Sequence, residues 1–163
     1  MNGASITLRP IRVDDQAFLL NVYASTRLEE LAPLGWNVDQ QMAFLTQQFT
    51  AQHQYYQTHY ADANFDVIML DEQPIGRLYV ARWENEIRLI DIALLPEYRN
   101  AGIGSHLLKE VMTEAAEASK PIRMHVEKFN PALQLYKRLG FSTIDDRGVY
   151  WFMEWAAQPE AKR

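Results

Sequence analysis

Apolar positions along the chain switch period several times, and each switch marks an element. Residues 5–9 alternate, with Ile6 and Leu8 on one side, and Pro10 then limits further ladder pairing, so a first strand is predicted there. Asp14 stands where a helix cap belongs, ahead of an apolar face made of Phe18, Leu19, Val22 and Tyr23. The run Ala32-Pro33-Leu34-Gly35-Trp36 breaks this pattern into a loop. Asn37 and Gln40 have the spacing of a capping box, and Met42, Leu45, Phe49 and Tyr56 recur at helical spacing behind them. The period then shortens. Residues 65–70, 75–81 and 87–95 read as three strands joined by turns at Asp71-Glu72-Gln73-Pro74 and Glu84-Asn85-Glu86, an antiparallel meander.

The helical period returns at Ile103, Leu107, Leu108, Val111 and Ala115 and fades near Ser119-Lys120-Pro121. Residues 122–126 form a short strand. Pro131 opens a helix carrying Leu135, Tyr136 and Leu139, and Gly140 ends it. Residues 141–144 and 149–155 pair across Asp145-Asp146-Arg147-Gly148. The order predicts a mixed α/β fold of about seven strands and about four helices. It fills one domain over residues 1–155, with 156–163 as a flexible tail.

Composition narrows the classes without choosing among enzymes. A chain of 163 residues, 48% hydrophobic and 23% charged, has the make-up of one globular domain rather than of a disordered segment. It holds no apolar run long enough to span a bilayer, and residues 1–12 lack the apolar core of a secretion signal. With no cysteine, disulfides, thiolate metal sites and cysteine nucleophiles are excluded, which makes a reducing cytoplasm the default setting. The net charge of −5 disfavours nucleic acid as a partner and suits a cationic one, such as an amine.

The segment from Leu95 to Ser105 joins a buried strand to an amphipathic helix, and that placement gives it meaning. Backbone N–H groups in the first turn of a helix have no internal partner, and the helix dipole there favours anions. Gly102 and Gly104 remove Cβ atoms that would hold a phosphate away from those donors, and Arg99 adds a forked cationic donor. A dinucleotide fingerprint fails because Leu107 stands where its last glycine belongs, and the turn lies too late in the chain. A nucleoside triphosphatase loop fails for want of Gly-Lys followed by Ser or Thr.

With Arg99, Gly102 and Gly104 at these spacings, the sequence resembles the GNAT superfamily of N-acetyltransferases. A second block, Asn130 to Phe141, is similar to the family's last motif: an asparagine, a helix bearing a tyrosine, then Gly-Phe. The resemblance spans nearly the whole chain. It implies a mostly antiparallel sheet splayed in the middle, where acetyl-CoA lies as cosubstrate. It further implies that backbone amides of Asn100, Ala101, Gly102, Ile103, Gly104 and Ser105 hold the pyrophosphate beside Arg99. Leu94 matches the amide that meets the thioester carbonyl, Asn130 the contact to the pantetheine arm, and Tyr136 the tyrosine that faces the sulfur.

An amine attacks a thioester only when neutral, which costs roughly 4–5 kcal/mol at pH 7 for a lysine-like group. A base therefore belongs in the reading. Asp91 is the first candidate, since a carboxylate inside the apolar strand 87–95 is costly unless it is functional or paired with Arg77 or Arg88. His125 on the next strand is second, and Glu86 third. The expected acceptor is a small-molecule or peptide amine, with Glu29, Glu30, Trp36, Tyr55 and Tyr56 as candidate walls. No metal is expected, because His53 and His59 lack ligand spacing. Trp151 or Trp155, if exposed on a late strand, offers a surface for a homodimer.

Overall fold

Why the first third of the chain becomes helical is visible at its caps. In the computed structural model, which describes residues 4–158, α1 (Gln16–Ser25), α2 (Leu28–Leu31) and α3 (Val38–His59) follow strand β1 (Ile6–Pro10). The predicted capping box starts α3: the Gln40 amide donates to Asn37 Oδ1 at 2.8 Å, and the Asn37 amide donates to Gln40 Oε1 at 3.0 Å. Asp14 does not cap α1. Asp15 holds that corner instead, accepting the Arg12 amide at 2.6 Å and both Nη atoms of Arg9 at 2.8 Å. Leu19, Tyr23, Ala24, Leu31, Leu45 and Phe49 form the core shared by these helices. Met42, expected on the apolar face, is exposed.

The remaining elements are β2 (Asn64–Leu70), β3 (Gln73–Arg82), β4 (Ile87–Leu94), α4 (Ile103–Glu117), β5 (Ile122–Glu127), α5 (Leu133–Arg138), β6 (Ser142–Arg147) and β7 (Tyr150–Trp155). The seven strands run in the order β1-β2-β3-β4-β5-β7-β6 and are mostly antiparallel. The parallel ladder of β4 with β5 consists of Ile87↔Ile122 and Arg88↔Arg123, so Leu89 and Ile90 continue β4 beyond it. All five apolar positions predicted for α4 are buried.

The chain divides into two compact units. One comprises the chain up to Tyr79 together with Asp91–Ala101; the other comprises Val80–Ile90 together with the chain from Gly102 onward. Among the described residues no helix is long and apolar enough to cross a membrane.

Several local expectations shift. The last hairpin does not turn at residues 145–148; β6 runs through Asp145, Asp146 and Arg147, and the turn falls at Gly148 and Val149. An edge strand tolerates such charges because its side chains meet solvent, and they also discourage pairing with another chain. Helix α5 begins at Leu133 rather than Pro131. Trp151 and Trp155 are half-buried, the first under Lys128 Nζ at 4.2 Å from its ring centre. Of the expected tail, residues 156–158 adopt no helix or strand, and residues 159–163 lie outside the described residues.

Candidate active site

Strand β4 ends at Leu94, a single turn of 3-10 helix covers Pro96–Tyr98, and the backbone then prepares the start of α4. Asn100 takes φ 61° and Gly102 takes φ 82°, a left-handed conformation that disfavours a side chain at the cap position. The first bond of α4 runs from the His106 amide to the Gly102 carbonyl at 3.0 Å. The amides of Ile103, Gly104 and Ser105 therefore precede the helix's own hydrogen-bond ladder. A Cβ built on Gly102 or Gly104 meets no described atom within 4 Å, so the space beside this first turn is clear. Donors ahead of the ladder, a positive dipole end and clear space are together suited to an anion.

Arg99 is exposed, yet its guanidinium turns back onto the protein. Nε donates to the Leu94 carbonyl at 2.9 Å, and Nη2 donates to Ser25 Oγ at 3.1 Å. Two of the sequence-predicted residues, Leu94 and Arg99, are thus brought together directly.

Asp91 is ion-paired. Arg77, only 3% exposed, donates through Nη2 to Asp91 Oδ2 at 2.7 Å and to Gln52 Oε1 at 3.0 Å. The Tyr56 hydroxyl donates to the same Asp91 oxygen at 3.2 Å. The guanidinium carbon of Arg77 also stands 5.2 Å from the ring centre of Tyr79, and burial pushes that phenol up to about 12. Oδ1 of Asp91 carries no hydrogen bond among the described residues.

His125 occupies an exposed position of β5 and meets Arg147 Nη1 through Nε2 at 3.0 Å. Since a guanidinium only donates, Nε2 is the acceptor and the proton of the neutral ring sits on Nδ1. Partial desolvation of its ring, which lies 4.7 Å from that of Phe152, then the charges of Arg88 and Arg147, hold its pKa below the ordinary histidine value, with Glu86 opposing. Glu86 is buried rather than a free turn residue, paired with Arg88 at 2.9 Å and Arg123 at 3.1 Å.

Asn130 shapes the chain ahead of α5: its Oδ1 accepts the Ala132 amide at 2.8 Å and its carbonyl accepts the Leu133 amide at 3.0 Å. This local turn explains why α5 starts late. Tyr136 is buried, 6.0 Å from the Phe141 ring. Among the candidate acceptor walls, Trp36 packs edge-on against Phe44 at 5.2 Å and belongs to the helical core. Tyr55 is exposed and stacks on His59 at 3.9 Å. Glu29 and Glu30 are exposed. Sequence reasoning missed Gln52 and Gly76; an isolated glycine inside the apolar run 75–81 was the available signal for the second.

The fourth strand of the seven-stranded mixed sheet leads through a glycine turn into the N-terminus of α4. The comparisons name the family: the pattern described as "Acetyltransferase (GNAT) family" matches residues 29–141, and the chain belongs to it. Over 68 residues the chain is 32% identical to a [Ribosomal protein bS18]-alanine N-acetyltransferase of Haemophilus influenzae. That match spans 41% of this chain and about half of the relative, 47% of its length. Solved structures share the fold. PaiA N-acetyltransferase of Thermoplasma acidophilum, solved in complex with coenzyme A, superposes with a TM-score of 0.70 at 21% identity, covering 94% of this chain and 99% of that one. Arabidopsis thaliana Naa50, solved with the bisubstrate analogue CoA-Ac-MVNAL, gives 0.59 at 19% identity, with 94% and 99% covered.

Proposed function

We propose that the chain transfers the acetyl group of acetyl-CoA to a primary amine by direct attack, with both substrates bound together. The observation that carries this reading is the open first turn of α4, where Ile103, Gly104 and Ser105 present amides to clear space. These amides, with those of Asn100, Ala101 and Gly102, bind the pyrophosphate, and Asn130 contacts the pantetheine arm. This chemistry needs no metal.

The amine nitrogen forms a bond to the thioester carbon, and the carbonyl oxygen takes up the negative charge. The Leu94 N–H stabilises that oxyanion. Collapse breaks the C–S bond; the CoA thiolate accepts a proton from the Tyr136 hydroxyl, the amine gives up one proton to a base or to water, and a proton returned through solvent restores the Tyr136 hydroxyl. Asp91 Oδ1 is the better placed acceptor for that proton, because His125 has its free lone pair engaged by Arg147. The bS18 alanine relative favours a peptide amine over a small one as acceptor. A cysteine-free chain suits the cytoplasm as its setting.

Gly104→Asp separates ligand binding from folding. A Cβ there touches no protein atom and a carboxylate suits the first turn of a helix, so thermal stability should hold or rise. Calorimetry is expected to show acetyl-CoA affinity falling by about tenfold or more, because the added negative charge repels the pyrophosphate. Equal affinity in the two proteins overturns this pyrophosphate site.

A further inference from the structure

Gly76 lies buried inside β3, within the run Pro74-Ile75-Gly76-Arg77. A Cβ built there overlaps the Ala93 carbonyl oxygen and stands 2.9 Å from Leu94 Cδ2 and 3.1 Å from Leu94 Cα. The glycine is needed for space: β3 and the end of β4 approach each other where only a hydrogen fits. The nearest obstacle is backbone, which cannot swing aside as a flexible side chain does.

That oxygen belongs to the same peptide group as the Leu94 amide. In a planar trans peptide the C=O and N–H point in opposite directions, and no described peptide bond is cis. With the Ala93 oxygen turned to β3 at Gly76, the Leu94 N–H is turned to the other edge of β4. The next peptide group is held as well. The Leu95 amide donates to the Ile75 carbonyl at 2.8 Å, and the Leu94 carbonyl accepts Arg99 Nε at 2.9 Å. Arg99 is itself tethered by Ser25 Oγ at 3.1 Å. Hydrogen bonds hold one of the two peptide planes that flank Leu94, and close approach to Gly76 confines the other.

We infer that Gly76 and Arg99 are positioning residues for the Leu94 amide: Gly76 by admitting the Ala93–Leu94 peptide against β3, and Arg99 by clamping the carbonyl of Leu94. The inference rests on the proposed role of that amide in holding the thioester oxygen. An oxyanion donor loses its value when displaced by a fraction of an ångström, so the effect belongs in turnover rather than in CoA affinity.

The test compares wild type, Gly76→Ala and Arg99→Met by steady-state kinetics, acetyl-CoA calorimetry and the infrared carbonyl stretch of bound acetyl-CoA labelled at the thioester carbon. Wild type should show the band shifted to lower frequency than in water-free solution, as a hydrogen-bonded carbonyl does. In Gly76→Ala, kcat should fall by about tenfold or more, with Kd for acetyl-CoA changed by less than about threefold and the band shift reduced. Arg99→Met should lower kcat by at least about threefold, again without a matching loss of affinity. Because Arg99 is exposed, that variant decides the matter should Gly76→Ala fail to fold. Wild-type kcat and band shift in the folded variants overturn the inference while leaving the Leu94 role intact. An Arg99→Met protein that loses affinity at unchanged kcat overturns it too, and assigns the guanidinium to the pyrophosphate. A wild-type enzyme that shows no band shift removes the Leu94 role itself.

Discussion

Arg77 carries its charge into the interior of the first unit, and what keeps it there is Asp91 at 2.7 Å with Gln52 at 3.0 Å. Removing one member of a buried pair leaves an uncompensated charge, so Asp91→Ala should destabilise the protein by about 3–5 kcal/mol in urea titrations. A loss below about 1 kcal/mol means that the pair behaves as a surface one. His125 and His53 make the opposite case, being disfavoured as cations. Partial desolvation lowers both pKa values first, with Arg88 and Arg147 acting on His125 and Arg77 on His53. Unfolded histidines take up protons near their ordinary value of about 6.5, before the folded ones do. Their contribution to stability is therefore full above that pH and is lost as pH falls through the lower folded values. Proton-detected titration should place the His125 midpoint under 6.5, and Arg147→Gln should move it upward; a midpoint at or above 6.5 contradicts the desolvation argument. The pairing of Asp91 with Arg77 was legible as one of two alternatives, since a lone carboxylate and a lone guanidinium in neighbouring apolar strands invite each other. The partner of His125 was not, because Arg147 reaches it from a strand read as a turn.

Helices were legible where their apolar stripe is broad and their caps are local. The five positions of α4 and the Asn37–Gln40 box depend only on spacing within one segment. Helix α2, with four residues, is too short to show a period, and α5 was set late by the Asn130 turn. The corner ahead of α1 escaped because Asp14 and Asp15 look alike in sequence, while only Asp15 lies within reach of Arg9 from β1. Asp15→Ala should cost about 2 kcal/mol, as charged hydrogen bonds of this kind do. Its carboxyl pKa is lowered, chiefly by the Arg9 hydrogen bonds. This stabilisation is accordingly present above the ordinary aspartate value and lost as pH falls through the folded one. An acid-denaturation midpoint unchanged by the substitution contradicts that assignment. In the helical core, Leu45 is fully buried, and Leu45→Ala should cost about 2–5 kcal/mol by the cavity it leaves.

Across the whole molecule, the order of elements and two spaced motifs carried the family, because a fold's element order survives even where its edges drift. The acceptor was far less legible: among its candidate walls Trp36 packs against the helical core, Tyr56 donates a hydrogen bond to Asp91, and Glu29, Glu30 and Tyr55 are exposed. Since the attacking amine must be neutral, kcat/KM should rise by about tenfold per pH unit below the pKa of the acceptor until a base on the enzyme takes over. The most direct measurement of acetyl transfer is release of free CoA thiol from acetyl-CoA, followed with peptide N-termini, lysine peptides, polyamines, amino acids and aminoglycosides. The account predicts release that depends on one class of amine, with that amine gaining one acetyl group by mass. Thermal stabilisation by acetyl-CoA without release across these amines would instead make the chain a binder of acetyl-CoA, and would contradict the enzyme described here.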